Sequence, residues 1–164
     1  MFTVARGAAS HVDGLVALLG QREFFAAKLA AQSRGEGVLL VGCLDGSPVA
    51  DVWVALSPVP EREVNEHLGG VPVLVHLEVV SVLRNRGFGT SLIGAAESLA
   101  RSREHARIAL GVAVDNPGAR RLYERLGYGE WPHGLISTGY DWVGRDGVKR
   151  WVPETITMLV KSLR

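Results

Sequence analysis

The sequence predicts an α/β fold of the mixed α+β kind, within one domain that spans residues 1–164. Apolar runs of strand length, such as Val38–Leu44 and Arg107–Val114, alternate along the chain with amphipathic stretches at helical spacing. The chain has 164 residues, of which 47% are hydrophobic. It is therefore long enough to bury a sizeable core and too short to suggest two domains.

The predicted elements alternate along the whole chain. Strands are expected at Phe2–Ala5, Val38–Leu44, Val49–Leu56, Val73–Val79, Arg107–Val114, from Tyr128 onward, and at Glu154–Leu163. Helices are expected after Ser10, at Gln21–Gln32, from Leu92 to Ala100, and from Asn116 to Gly127. The turns Asp45–Pro48 and Asp146-Gly147 predict hairpin tips.

Bulk composition narrows the function classes. The net charge of +1 gives no indication of binding to nucleic acid or to an anionic membrane. A lone Cys43 excludes an internal disulfide and fits a reducing compartment, and no apolar run reaches membrane-spanning length. We therefore expect a cytoplasmic location. The five histidines are too scattered to indicate a metal site, so no metal is expected.

The stretch from Leu77 to Leu92 is the most informative part of the sequence. An apolar strand runs into a turn of arginines and glycines, and an amphipathic helix follows. No Ser, Thr, Asp or Asn stands where it would cap that helix, so its first N–H groups are free to bind an external anion. Gly87 and Gly89 allow close approach to the backbone, and Arg84 and Arg86 add positive charge. The turn suits a pyrophosphate.

Two motifs in this order resemble those of the GNAT superfamily of N-acyltransferases. The first is R-x-x-G-x-G at Arg84–Gly89, with the apolar strand residue Val79 upstream. The second is N-x-x-A-x-x-L-Y-x-x-x-G-[FY] at Asn116–Tyr128, which matches at every defined position. It also reads as a helix with Asn116 as the N-cap, Pro117 at the first position and Gly127 as the terminator.

The resemblance implies a central, mixed and largely antiparallel sheet of six to seven strands that splay apart in the middle, with helices on both faces. It also implies that acetyl-CoA is the co-substrate and that the acetyl group passes directly to a primary amine in a ternary complex. Backbone groups at Val79 and Val80 would pair with the pantetheine arm. The expected cofactor-binding residues are Val79, Val80, Arg84, Asn85, Arg86, Gly87, Phe88, Gly89, Thr90 and Asn116.

Three residues are candidates for proton transfer. The resemblance gives Tyr123 the role of protonating the departing CoA thiolate. By strand alternation, His76 and Glu78 share a face opposite Val73, Val75, Leu77 and Val79, and both are costly to bury unless they are paired or face a cleft. Either could accept the proton of the incoming ammonium, or could make only a structural hydrogen bond. Positions further upstream, where some family members carry a base, hold Val71 and Val73.

The acceptor site is expected to lie between two regions that are far apart in sequence. The resemblance implies that the helix Gln21–Gln32 walls the acceptor pocket, so the exposed one of Phe24 and Phe25 would contact the acceptor; we take Phe25 as the candidate. The insertion before the last strand should lie over the same pocket, with Tyr140 and Trp142 as contacts. The alternatives are that the phenylalanine only packs in the core, and that the insertion is a structural hairpin that contacts no ligand.

The favoured function is N-acetylation of a small-molecule amine. A non-catalytic acyl-CoA-binding or sensing module is the alternative from another class, and a protein N-terminal or lysine acetyltransferase is the rival enzyme. Tyr123 favours an enzyme, because a binding module needs no acid for a thiolate. The Trp and Leu residues of the terminal segment would suit a homodimer face, so the oligomeric state stays open.

Overall fold

The computed structural model describes residues 1–164, with five α-helices and one sheet of seven strands. None of the helices combines the length and the hydropathy needed to cross a membrane. The elements are β1 (Phe2–Arg6), α1 (Ala9–Leu19), α2 (Arg22–Ser33), β2 (Gly37–Leu44), β3 (Ser47–Ala55), α3 (Arg62–Leu68), β4 (Val73–Val79), α4 (Phe88–Ser102), β5 (Arg107–Ala113), α5 (Pro117–Arg125), β6 (Gly129–Val143) and β7 (Lys149–Ser162).

The sheet confirms the predicted architecture. Its strand order is β1-β2-β3-β4-β5-β7-β6, and all neighbours are antiparallel except β4 and β5. The two parallel strands pair only at Val73 with Ala109 and at Leu74 with Leu110. Beyond Leu74 the two strands separate, although β4 continues to Val79. The sheet is therefore splayed in its middle.

Two apolar clusters hold the helices on opposite faces of the sheet. One cluster joins α4 to the sheet through Leu92, Ile93 and Ala96. The other joins α1 and α2 to the opposite face through Leu15 and Phe25, which are both completely buried. Helical spacing places these apolar side chains on one stripe of each helix, so each helix covers the sheet with that stripe.

A bulge in β4 reverses the alternation that the sequence predicts for this strand. Trp53 of β3 lies opposite Val75, and Asp51 lies opposite Glu78, so two residues of β4 face one residue of β3. His76 is one of the two and has a left-handed φ of 58°. Val73 and Val75 consequently pack on the α1–α2 side, whereas Leu77 and Val79 pack on the α4 side. The predicted common face for these four valine and leucine residues is wrong.

The last two strands form one long hairpin. The sequence predicts two strands separated by an insertion, but β6 and β7 pair from Val143 with Lys149 back to Gly129 with Val160, with one irregularity between Glu130 and Leu135. The tip lies at Gly144–Val148, where the Gly147 N–H donates to the Gly144 carbonyl at 3.0 Å. The predicted tip at Asp146-Gly147 is confirmed.

A buried polar network links the end of α4 to β7. The Tyr128 hydroxyl donates to Glu97 Oε2 at 2.9 Å, and Lys161 Nζ donates to Glu97 Oε1 at 2.9 Å. Tyr128 is 3% exposed and Glu97 is 7% exposed. Burial of the phenol and the adjacent carboxylate both raise the pKa of Tyr128. The hydroxyl therefore stays protonated and donating.

The substitution Tyr128→Phe should lower the free energy of unfolding by about 1–3 kcal/mol, because Glu97 loses a buried hydrogen bond. Urea denaturation would measure this loss. A matched control is Tyr140→Phe: Tyr140 is 44% exposed and its hydroxyl makes no hydrogen bond within the protein, so a change below about 0.5 kcal/mol is expected. Equal losses in the two variants would contradict the assigned role of the network.

Candidate active site

The arginine and glycine turn connects β4 to α4 and leaves one arginine free. After a single 3₁₀ turn at Ser81–Leu83, Arg84 folds back: its Nε donates to the Val79 carbonyl at 3.1 Å, and its Nη2 lies 3.4 Å from Glu78 Oε2. Arg86 is exposed and makes no side-chain hydrogen bond or ion pair within the protein. The unpaired positive charge at this turn is therefore that of Arg86.

The first turn of α4 has no capping side chain, as the sequence predicts. Gly87 is the N-cap with a left-handed φ of 83°, and no hydrogen bond within the protein uses the N–H groups of Phe88, Gly89 or Thr90. A Cβ atom added at Gly87 or Gly89 would have no neighbour within 4 Å. The Phe88 ring stacks on the Phe2 ring, and the two ring centroids are 4.2 Å apart. Open donors, open space and the positive helix end together fit an anionic group such as a pyrophosphate.

The backbone of β4 offers a free donor, the Val79 N–H, toward the gap between β4 and β5. The Val80 N–H donates to the Val49 carbonyl at 3.0 Å, and the Val80 carbonyl accepts from Leu83. Both backbone groups of Val80 are therefore used within the chain. Because successive N–H groups of a strand point to opposite edges, the N–H of Val79 points toward the gap. Of the two valines predicted to pair with the pantetheine arm, only Val79 has a free N–H group.

A cavity of about 630 Å³ lies beside this gap, between α2, the middle of the sheet and the terminal hairpin. It brings together residues that are distant in sequence. Four of the predicted site residues line it: His76, Glu78, Tyr140 and Trp142.

The predicted acceptor contact on α2 falls on the wrong phenylalanine. Phe25 is completely buried against the sheet, so its side chain cannot reach an acceptor. Its neighbour Phe24 lines the cavity and stacks on the His76 ring, with the centroids 4.1 Å apart. Adjacent residues of a helix point about 100° apart, so only one of the two can pack into the core. The prediction of Phe25 is wrong, and Phe24 takes its place.

The β6–β7 hairpin forms a roof over the cavity and is attached at two sides. On the α2 side, the Gln21 side-chain amide and the Val143 backbone make two reciprocal hydrogen bonds of 3.0 Å each. On the α3 side, the Thr138 hydroxyl donates to Glu61 at 3.2 Å. An exposed ion pair of 3.2 Å between Lys149 and Glu23 adds to the first attachment. The cavity is therefore covered by the segment that carries Tyr140 and Trp142.

The charged groups that line the cavity are mostly acidic. Lys28 is the one cation among them, and burial lowers its pKa. Burial raises the pKa of Glu154, and the charges of Asp115 and Glu61 raise it further. Such a lining favours a cationic ligand over an anionic one. The acidic residues of the lining are Glu36, Glu61, Glu78, Asp141 and Glu154.

A buried carboxylate that the sequence analysis missed contacts His76. Asp51 Oδ2 lies 2.9 Å from His76 Nδ1, and the Asp51 side chain is completely buried. Burial raises the pKa of Asp51, against the hydrogen bond to His76, which lowers it. A signal was present in the sequence, since Asp51 is the one charged residue within the apolar strand Val49–Leu56.

Tyr123 lies on α5, where it packs against the α4-side cluster. Its hydroxyl makes no hydrogen bond within the protein, and burial followed by the charge of Glu78 raises its pKa. The charge of Glu78, which lines the cavity, therefore acts on the Tyr123 phenol. Asn116 is the N-cap of α5, as predicted: its Oδ1 accepts from the Ala119 N–H at 3.2 Å, which leaves the side-chain NH₂ group free.

The splayed strands, the uncapped helix after a glycine turn and the two sequence motifs all point to one class of protein. The chain belongs to the acetyltransferase (GNAT) family, whose sequence profile matches residues 15–128. This confirms the predicted resemblance and the predicted enzyme class, an acetyltransferase.

A curated relative and several solved structures are similar to this chain. An uncharacterized N-acetyltransferase of Methanocaldococcus jannaschii is 34% identical over 102 residues, which are 59% of this chain and 41% of the relative. The chain thus spans less than half the length of that relative.

The structural matches cover nearly the whole chain. An N-acetyltransferase from Staphylococcus aureus Mu50 superimposes with a TM-score of 0.72 at 11% identity, covering 100% of this chain and 99% of that one. The ribosomal-protein-S18-alanine N-acetyltransferase of Escherichia coli gives 0.71 at 16% identity, with 99% and 94% covered. A GNAT acetyltransferase from Elizabethkingia anophelis with acetyl-CoA bound gives 0.65 at 13% identity, with 98% and 97% covered. At these identities the likeness shows the fold alone.

Proposed function

We propose that this protein transfers the acetyl group of acetyl-CoA to the primary amine of a small, cationic molecule, within the cytoplasm. The observation that carries the choice of acceptor is the roof of the cavity. The hairpin is attached to α2 through Gln21 and to the start of α3 through Glu61, so it bounds the cavity between these two helices. A bounded cavity of about 630 Å³ is of the size that small ligands fill.

The same residues support acetyl-CoA as the co-substrate. The free N–H groups of Phe88, Gly89 and Thr90, with Arg86 beside them, would bind the pyrophosphate. Space around Gly87 and Gly89 fits close approach of phosphate oxygens. The N–H of Val79 would pair with the pantetheine arm or polarise the thioester carbonyl.

The proposed reaction is a direct transfer in a ternary complex. A base on β4, His76 or Glu78, takes a proton from the bound ammonium. The amine nitrogen then attacks the thioester carbonyl, so that a C–N bond forms and the C–S bond breaks. Tyr123 gives its proton to the departing thiolate and recovers one afterwards from solvent. No covalent intermediate with the enzyme is formed.

Acetylation of a protein N-terminus is the second candidate. It is favoured by the structural likeness to the Escherichia coli enzyme, whose name gives ribosomal protein S18 as its target. The non-catalytic binding module is the weakest alternative, because it gives no reason for the unbonded Tyr123.

A comparison of acceptors tests the proposal. We expect free-thiol release from acetyl-CoA with at least one small diamine or amino-alcohol, at a kcat/KM at least tenfold above that of any short peptide. Calorimetry of acetyl-CoA binding is measured in parallel. A preference for peptides would favour the second candidate, and binding without turnover on any acceptor would favour the module. Absence of acetyl-CoA binding would contradict all three.

A further inference from the structure

The fully buried carboxylate of Asp51 lies within a strand of apolar residues. One of its oxygens contacts His76 at 2.9 Å, and the other oxygen has no hydrogen-bond partner within the protein. Burying a carboxylate is strongly unfavourable unless a partner compensates the charge. The one partner that the structure offers is His76. A buried carboxylate that lies against a titratable group at the edge of a cavity is a candidate for a functional role.

His76 is held from three sides. The bulge in β4 turns its backbone to a left-handed φ of 58°, which is unfavourable for a residue other than glycine. Its ring stacks on Phe24 at 4.1 Å and meets the edge of Phe25 at 6.0 Å. Nδ1 contacts Asp51, Nε2 has no hydrogen-bond partner within the protein, and the side chain lines the cavity. The ring is therefore fixed, with one nitrogen free.

We propose that Asp51 is a positioning residue: it fixes the tautomer and the orientation of His76, and so makes His76, rather than Glu78, the base of the acetyl transfer. The inference rests on the function proposed above. A carboxylate on Nδ1 keeps the proton on that nitrogen and leaves the lone pair on Nε2. Glu78 is less suited, since its Oε2 lies 3.4 Å from Arg84 Nη2.

The proton path follows from this arrangement. The ammonium proton passes to His76 Nε2 while the Nδ1 proton stays in the hydrogen bond to Asp51. The resulting imidazolium is stabilised by the Asp51 carboxylate, and it loses its proton to solvent after the product leaves. The carboxylate itself does not take up a proton in this scheme.

The charged groups around the ring set the direction of its pKa shift. Burial lowers the pKa of His76, but Asp51 of β3 and Glu78 of β4 together outweigh it, so the pKa lies above its ordinary value. Lys28 of α2 lies over the Phe24 ring that stacks on His76, with Nζ 5.5 Å from the ring centroid. The base must be deprotonated to act, so kcat/KM should rise with pH through this raised pKa.

The first test uses the wild-type protein and does not depend on activity. Nitrogen NMR of the histidine rings, with His76 assigned from the spectrum of His76→Gln, reports which ring nitrogen carries the proton. We expect neutral His76 to carry it on Nδ1. A proton on Nε2 would overturn the role given to Asp51.

The second test is the variant Asp51→Asn. It should lower the pKa of His76 measured by NMR, move the acidic limb of the kcat/KM profile to lower pH by the same amount, and reduce the plateau of kcat at least tenfold. Acceptor KM should stay within about threefold. A lower plateau of kcat with no change in the NMR pKa of His76 or in the acidic limb of the kcat/KM profile would overturn the proposal. A purely structural role of Asp51 would give that result.

A double-mutant comparison separates an action of Asp51 through His76 from an independent role, and the wild-type NMR test remains available if Asp51→Asn is poorly stable. If Asp51 acts through His76, then Asp51→Asn should cost no further activity in a His76→Gln background. An additive loss would overturn the inference, and so would a smaller loss in His76→Gln than in Glu78→Gln. If His76 carries its proton on Nδ1 but the protein acetylates no amine, the proposed function fails. If the protein acetylates an amine but His76 carries its proton on Nε2, only the role given to Asp51 is refuted.

Discussion

Replacing Tyr123 by phenylalanine should lower kcat about 100-fold or more and leave the Kd for acetyl-CoA within about twofold. The phenol makes no hydrogen bond within the protein, so its removal leaves no buried partner unpaired. General acid catalysis by one side chain contributes about 10²–10⁴-fold. Because burial and Glu78 raise the pKa of Tyr123, the acid form persists through the neutral range, and kcat should show no alkaline fall below about pH 9.

The control for this prediction is the neighbouring tyrosine. The Tyr128 ring lies 6.4 Å from that of Tyr123, but its hydroxyl is committed to Glu97. Tyr128→Phe should therefore reduce stability and keep kcat within about twofold at a temperature where the variant is folded. Stopped-flow and steady-state thiol release would give kcat, and calorimetry would give Kd. A loss of cofactor affinity equal to the loss of kcat would show that Tyr123 binds rather than donates a proton.

The substitution Gly89→Glu should weaken acetyl-CoA binding by about 100-fold or more without lowering stability. Gly89 lies in the first turn of α4, its φ is not left-handed, and a Cβ there has no neighbour within 4 Å, so the side chain fits. A carboxylate at a helix N-terminus is favourable for the helix itself. The same carboxylate would repel the pyrophosphate and compete for the free N–H groups. Calorimetry and thermal denaturation measure the two effects.

Gly94→Glu is the matched control for that variant. It introduces the same side chain on the same helix, at an exposed position where a Cβ also meets nothing within 4 Å, but beyond the first turn. Its Kd for acetyl-CoA should stay within about threefold of the wild-type value, since the side chain lies about 7.5 Å further along the axis and on another side of the helix, away from the free N–H groups of the first turn. Equal weakening by the two variants would mean that net charge, and not the site at the helix start, controls binding.

The cofactor half of the site could be predicted from local sequence because each of its features is set by neighbours in the chain. The missing cap of α4, the glycines at 87 and 89, and the Asn116 cap all follow from which residue stands next to which. A motif of this kind needs no knowledge of tertiary contacts. The structure confirms the uncapped start of α4 and the Asn116 cap, whereas the Val80 backbone and the Arg84 side chain are hydrogen-bonded within the chain and the Phe88 ring packs on Phe2.

The acceptor half depends on contacts between distant segments, so local sequence could not define it. Phe24 and Phe25 are adjacent on α2 and point in different directions. Which of them is buried depends on how the helix packs on the sheet, and the structure buries Phe25. The bulge at His76 arises from the pairing of β4 with β3, and no residue type in β4 predicts it. Asp51 and His76 are 25 residues apart, and neither position alone indicates the other.

The position of the hairpin also explains why the family of this chain is easier to recognise than its acceptor. The matched family segment ends at residue 128, and β6 begins at Gly129. The roof of the cavity therefore lies wholly outside the region by which the family is detected. Near its tip it is joined to the start of α2 by the hydrogen bonds between Gln21 and Val143 and by the exposed ion pair between Glu23 and Lys149. A change confined to the hairpin would therefore alter the lining of the cavity and leave the matched family segment unchanged.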